Sequence, residues 1–530
     1  MVAGFVATGF GPSTGDAAGS PAAVAQAAPP ASPSVSDPTV TSLVERGKYV
    51  ATAADCGSCH TAPGGKPFAG GDVLKTPFGN FYGPNITQDK DHGIGTWTEQ
   101  DFARALRLGV RKDGSDLYPA MPYTAYTKMS DADLTALWAY LRTIAPDSNS
   151  PPAAETTLHF PFNIRTGNIA WRAAFFTPGS WEPTVGKSEA WNRGSYLVES
   201  LGHCGVCHSP SNLAFAEEKQ HHLTGNQIES WYAPDISDDP LSKLTKYTVD
   251  QLAHFFKTGR MPGNQVVFGP MGEVVHDSLS KLSDADLHAI ALYLKEAPTP
   301  KPQAAAARGT LSAEDAAAGK ALYENNCGAC HQNDGRGLKG QVPALAGNTA
   351  VTSPEPNNVV MAMLEGFGPQ GTYGAMGSFA KQLSDGQIAQ VANYVRTAWG
   401  NDAPPNATPW GVGNYRNYAD VPVNARAPAL ICPNLTPEVL GPALKESPTL
   451  LREAANDRTK LEQVVHTYVA ARPHSSVADT IEALSSAYCR DVVSERVSAA
   501  ISGAKMADFS QQIAIVLAEN PGSRTTSPPP

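Results

Sequence analysis

The sequence predicts a mainly α-helical chain made of three tandem copies of one small unit, followed by a helical extension. Three observations carry this. The pattern Cys-x-x-Cys-His occurs three times, at Cys56–His60, Cys204–His208 and Cys327–His331. A short helical run precedes each, with a glycine closely followed by a tyrosine: Gly47 and Tyr49, Gly194 and Tyr196, Gly319 and Tyr323. An amphipathic run with its own start signal closes each copy: "MSDADLTALWAYLRT", "LSDADLHAIALYLKE" and "LSDGQIAQVANYVRT". A fixed pattern recurring along a chain marks repeated structural units.

Taken in order, residues 1–40 are rich in Ala, Pro, Ser and Gly and offer little core, so they read as disordered. "AAVAQA" within them also has small residues at the spacing of an export-signal cleavage site. The units are expected over 41–150, 186–298 and 310–401, with a connecting segment at 151–185. Ser130, Ser283 and Ser384 are placed to cap the closing helices, with Asp133, Asp286 and Gln387 at the reciprocal capping-box position. Leu134, Leu137, Trp138 and Leu141 fall at helical spacing. Tyr140, Tyr293 and Tyr394 recur at one place in the closing helices, so a glycine opposite an aromatic lets opening and closing helices cross closely. "APTPKPQAAAARG" (297–309) and "NDAPPNATP" (401–409) have linker composition. The extension is expected over 412–520 as helices, with 521–530 frayed. Its apolar stripes, Ile481, Leu484 and Tyr488, and Met506, Phe509, Ile513 and Val516, are expected to pack into a small bundle. The sharper alternative, docking of the last stripe on a partner or a membrane, finds no basic polar face to favour anionic lipid.

A chain of 530 residues exceeds what one core organises. Its formal charge of −10 argues against a nucleic-acid surface, which needs clustered Lys and Arg. No apolar run reaches the roughly 18 residues that suggest a spanning helix.

Two thiols and an imidazole within five residues restrict the chemistry. A closed zinc site needs four ligands, and no second Cys-x-x-Cys stands ready to supply them. A thioredoxin-like redox pair lacks this histidine and this triplication. Covalent haem attachment uses every residue: the thiols bond to the haem vinyl groups and the imidazole becomes an axial iron ligand. The second axial ligand then sets the chemistry, and methionine raises the potential for electron transfer. Each unit offers one before its closing helix: Met121 in "YPAMPY", Met271 in "FGPMGEVV" and Met376 in "YGAMGSF". Met129, Met261, Met361 and Met363 are the rivals. His203, His221, His222, His254 and His276 read as surface or satisfied polar residues, with His276 the nearest substitute for Met271.

These residues resemble a family. "DCGSCHTAPGGKPFAGG", "GVRKDGSDLYPAMPY", "AWNRGSYLVESLGHCGVCHSP", "GPMGEVVHDSLSKLSDADLHAIALYLK" and "LSDGQIAQVANYVRTAWGN" look like the tri-haem cytochrome c subunit of bacterial membrane-bound dehydrogenases, of alcohol, aldehyde and gluconate type. The likeness runs from about residue 41 to 401. It implies three tandem class I cytochrome c domains and three covalent haem c groups. The attachment residues would be Cys56, Cys59, Cys204, Cys207, Cys327 and Cys330, and the iron ligands His60 with Met121, His208 with Met271, and His331 with Met376. It also implies an electron-transfer subunit without a catalytic residue of its own. A partner subunit holding pyrroloquinoline quinone, flavin or a molybdenum cofactor would oxidise an alcohol or aldehyde. The electrons would pass to ubiquinone or a terminal oxidase, at the periplasmic face of the cytoplasmic membrane with peripheral attachment. The long extension departs from simple members of the family.

The alternative is a multihaem peroxidase or reductase with one exchangeable haem ligand. Cys432 and Cys489 remain after the haem cysteines are assigned. In an oxidising compartment they are expected to form a disulfide, which would stabilise the extension by about 4 kcal/mol on the chain-entropy account.

Overall fold

The computed structural model describes residues 42–297, apart from 77, 229 and 238–241, then 309–419, 448–472 and a set of helical positions between 480 and 519. Cys432, Cys489 and Met506 lie outside the described residues, and so does most of the 297–309 linker.

Each unit is an opening helix crossed by a closing helix. The pairs are Leu43–Ala53 with Asp131–Leu141, Glu189–Tyr196 with Asp284–Glu296, and Ala313–Asn326 with Asp385–Thr397. The crossings are as close as the glycines suggest. A Cβ on Gly47 would overlap the Ala136 carbonyl, one on Gly194 the Ala289 carbonyl, and one on Gly319 the Gln390 carbonyl. The side chains of Tyr140, Tyr293 and Tyr394 lie against the same three glycines. Between the pairs run shorter helices (Glu99–Leu108, Val249–Thr258, Asn357–Glu365) and two-stranded hairpins, such as Val73–Thr76 with Gly79–Tyr82.

The first two units share one apolar core, in which Val50, Leu137, Tyr196, Leu201 and Leu287 are buried together. Polar contacts hold them with a pseudo-twofold exchange. Arg46 pairs with Asp133 inside the first unit, and Arg193 grips Asp286 with two hydrogen bonds of 2.8 and 2.7 Å inside the second. Across the junction, the Tyr196 hydroxyl donates to Asp133 and accepts from the Ser130 N–H, at 2.7 and 3.1 Å. The Tyr49 hydroxyl does the same to Asp286 and Ser283, at 2.7 and 3.0 Å. This corrects the expected capping boxes. Ser130 and Ser283 accept from the N–H groups of Asp133 and Asp286 as foreseen. The two carboxylates, however, are drawn to an arginine and a tyrosine, and the neighbour's tyrosine takes over the return bond. Only the third closing helix completes its box, between Ser384 and Gln387.

The second and third units meet around Asn264. Its side chain donates to the Val342 and Arg336 carbonyls and accepts from the Gly340 N–H and the Tyr373 hydroxyl. Asn358 of the third unit exchanges two hydrogen bonds, of 2.9 and 3.0 Å, with the backbone of Tyr232.

The 401–409 stretch does not act as a spacer. Asn401 donates to the Val395 and Leu345 carbonyls, and Ala403 and Ala407 are buried. The following helix, Pro409–Ala419, packs on the third closing helix. There Val412 enters the third core and Arg416 bonds Asp385, Ala380 and Leu383. The described part of the extension has its own core. Leu461, Val465 and Tyr468 bury against Leu484, Tyr488, Phe509, Ile513 and Val516, with Ile481 partly buried beside them, so the described members of both stripes join this core. Among the described residues no helix is long and apolar enough to cross a membrane.

Candidate metal centres

Each Cys-x-x-Cys-His pattern forms a short helix of its own, over Cys56–His60, Gly205–His208 and Gly328–His331. In the first two units the residue before the first cysteine, Asp55 or His203, takes a φ of 48° or 38°. Non-glycine residues adopt that left-handed conformation rarely. In the first unit the opening helix ends just before this residue; in the second a π-helical turn, Leu197–Leu201, comes between them; in both a new helix then begins.

The three histidines are only 7%, 8% and 8% exposed. Each ring faces a proline carbonyl through Nδ1: His60 to Pro84 at 2.7 Å, His208 to Pro234 at 2.7 Å, and His331 to Pro343 at 3.0 Å. A carbonyl only accepts, so Nδ1 carries the proton and Nε2 keeps its lone pair. Burial holds all three imidazoles below their ordinary value, against the smaller opposing effect of the carbonyl. A neutral ring, oriented by a bond at its far nitrogen, is a prepared iron ligand.

The cysteines are less enclosed than the histidines: Cys59 is exposed and the other five are partly buried. Burial pushes Cys56, Cys204 and Cys327 up to about 12 and Cys330 upward as well; Asp55 adds to the effect at Cys56 and Glu199 at Cys204. Among the described residues no group of three or more His, Cys, Asp or Glu is placed to hold a metal ion. Two thiols and one oriented imidazole in each pattern fit covalent haem.

The expected sixth ligands occupy three different settings. Met121 lies in a turn, partly buried against the shared core, just ahead of the helical turn Tyr123–Tyr126. Met376 pairs through its backbone with Phe367, at 2.8 and 2.9 Å. Met271 is not in a loop as the sequence suggests. It stands in the first turn of the helix Gly269–Asp277, which packs against the Cys56–His60 helix of the first unit. Of the rivals, Met129, Met361 and Met363 are buried in cores, while Met261 sits on the hairpin Arg260–Met261 with Gln265–Val266 that carries Asn264.

Sequence reasoning missed a polar cluster beside the second pattern. The buried Glu199 carboxylate accepts from His222 Nε2, Lys128 and the Tyr293 hydroxyl at 2.8, 2.9 and 2.9 Å. His222 also meets Glu217 through Nδ1. Burial alone would lower the imidazole, but hydrogen bonds and charge from both carboxylates raise it to about 9. Burial likewise opposes ionisation of Glu199, and His222 and Lys128 more than offset this, holding it below the usual carboxylate range. His203 is partly buried, with its ring edge-on against Tyr126, and desolvation drops it to about 4.

Comparison with known proteins agrees with this chemistry. The cytochrome c family matches residues 44–145 and 316–399, around the first and third patterns. The fructose dehydrogenase cytochrome subunit of Gluconobacter japonicus is 38% identical over 397 residues, covering 68% of this chain and 79% of that protein. The cytochrome c subunit of the quinone alcohol dehydrogenase of Gluconacetobacter polyoxogenes is 37% identical over 399 residues, covering 71% and 84%. A nicotinate dehydrogenase subunit of Pseudomonas putida is 40% identical over 370 residues, but these make up 31% of that longer protein. None of these relatives favours a peroxidase. With repeated Cys-x-x-Cys-His helices, buried imidazoles and relatives matched over most of their length, the chain belongs to the family of cytochrome c subunits of dehydrogenases, proteins of electron transport that carry covalent haem c.

Proposed function

We propose that the chain is the electron-carrying subunit of a dehydrogenase complex, with three haem c groups. Haem c, when bound, supplies a one-electron iron couple. The thiols of Cys56 and Cys59, Cys204 and Cys207, and Cys327 and Cys330 tether it, and His60, His208 and His331 provide the proximal nitrogen. Met121, Met271 and Met376 complete the ligand sets. The single observation that carries this reading is the threefold recurrence of a buried imidazole whose Nδ1 is bonded to a proline carbonyl. A ring fixed in this way would present its free Nε2 to the iron in one orientation. The residues so named hold and orient the group and exclude water; none acts on an organic substrate.

The relatives are subunits of dehydrogenases, which supports a catalytic dehydrogenase partner; in this proposal that partner oxidises an alcohol or aldehyde. Its acceptor would be ubiquinone or a terminal oxidase, at the periplasmic face of the cytoplasmic membrane. Two measurements test the reading. Intact mass and pyridine haemochrome on the purified holoprotein should give three covalent haems; two or fewer would refute the count. Co-purified dehydrogenase given its substrate should reduce all three haems anaerobically, and an unreduced spectrum would refute the relay.

A further inference from the structure

Three aromatic rings bridge the second and third units. Trp231 lies 5.8 Å from Phe268 and 6.1 Å from Phe367 between ring centroids, and Phe268 lies 5.0 Å from Phe367. Trp231 is 7% exposed and is buried in the core of the third unit, although it belongs to the second. Gly269 presses on its indole with no room for a freely placed side chain.

Each ring is joined to a segment that bears or orients a proposed iron ligand. Trp231 opens the strand Trp231–Ala233, and the next residue, Pro234, gives the carbonyl that orients His208. Phe268 is the N-cap of the helix that holds Met271. Phe367 exchanges both backbone hydrogen bonds with Met376. The cluster therefore touches the segment that orients His208, the segment that bears Met271 and the methionine segment of the third centre. The same junction is also closed by side chain to backbone bonds from Asn264. Close-packed matter carries electronic coupling better than a gap, and polarisable rings at contact distance fill this one.

We infer that Trp231, Phe268 and Phe367 are positioning residues for electron exchange between the second and third centres. The inference rests on the ligand assignment proposed above. The step moves a single electron from one iron to the next; no covalent bond forms or breaks and no proton is required.

The test uses the holoprotein reduced by a fraction of an equivalent with a photoreductant, with haem absorbance followed in time. Trp231→Leu and Phe268→Leu keep apolar bulk and remove the ring. Each should slow redistribution between the second and third haems. Trp231→Phe should restore most of the rate. Haem content, individual potentials and the methionine-ligation band should stay as in the parent protein, which a merely structural role would not predict together with a changed rate. Parent-like redistribution in both leucine variants, with contents and potentials intact, overturns the inference. If Trp231→Leu does not fold, Phe268→Leu decides alone, because Phe268 is only partly buried. Failure of the ligand reading shows separately, as an unchanged spectrum in Met271→Ala or Met376→Ala.

Discussion

At the scale of single residues, the axial methionines are where the site is most open to test. Met121→Ala, Met271→Ala and Met376→Ala should each turn one haem high-spin or re-ligated and lower its potential, by the loss of a thioether that favours the reduced iron. Met129→Leu and Met261→Leu should leave all spectra as they are, since Met129 is 2% exposed in the core and Met261 serves a hairpin. The Glu199–His222 pair gives a pH signature. The His222 value is raised from 6.5 to about 9 in the folded chain, so its contribution to stability is complete below about pH 6.5 and fades as pH rises through about 9. Glu199 shifts the opposite way, and its contribution is present above the ordinary carboxylate value and lost on acidification. Thermal unfolding should therefore show a midpoint that falls from pH 6.5 to 9, and His222→Gln should flatten that fall. An equal slope in both proteins would count against the pair. What the sequence made legible here follows from locality. Attachment and proximal ligation sit within five residues, whereas the proline carbonyls stand 24, 26 and 12 residues downstream. A backbone acceptor also leaves no mark of residue type.

At the scale of elements, the helix pairs explain why so much of each unit could be read in advance. A glycine facing a recurrent aromatic is a local pattern with one physical meaning, close approach of two backbones. Gly47→Ala and Gly194→Ala should each destabilise the paired first and second units by about 2–3 kcal/mol, because the new methyl meets backbone that cannot move aside. Denaturant titration of the holoproteins measures this, and unchanged midpoints would contradict the packing. The closing helices were less legible. Asp133 and Asp286 fit a capping box in sequence, yet Arg46, Arg193 and the neighbour's tyrosines claim them. The signal was present but relational. An arginine before the glycine and a tyrosine two after it occur in the first two opening helices, and the third has Ala318 and Ala321 there, with Gln387 in place of the acid. Tyr49→Phe and Tyr196→Phe should each cost about 1–2 kcal/mol in the same titration, since a buried Ser N–H loses its acceptor and a carboxylate its donor. Met271 failed as a loop residue for a related reason. "FGPMGEVV" carries Gly and Pro, but Pro at the first turn starts a helix as readily as it breaks one.

At the scale of the whole molecule, composition misplaced one boundary. A proline- and asparagine-rich stretch at 401–409 reads as a tether, yet its groups satisfy a buried cation. Arg396 is fully buried without a carboxylate hydrogen bond, and burial draws its guanidinium down to about 10. It donates instead to the carbonyls of Val351, Pro354, Glu355 and Pro404 and to the Asn406 side chain. Two of those acceptors come from the supposed tether. Beyond it, Val412 fills the third core and Arg416 ties Asp385 to the end of the preceding loop. A holoprotein ending at residue 419 should therefore keep a native third unit, because every one of these groups remains. One ending at residue 401 leaves Arg396 short of acceptors and uncovers the site of Val412. Losing hydrogen bonds to a buried charge and one buried valine should destabilise the third unit by about 3 kcal/mol or more. The first and second units share a core and a reciprocal tyrosine exchange that the cut does not touch. Limited proteolysis with haem-stained gels distinguishes the outcomes. The shorter chain should lose the third haem peptide early and keep the first two together, while equal protection in both truncated chains would show that the third unit ends where its sequence composition changes.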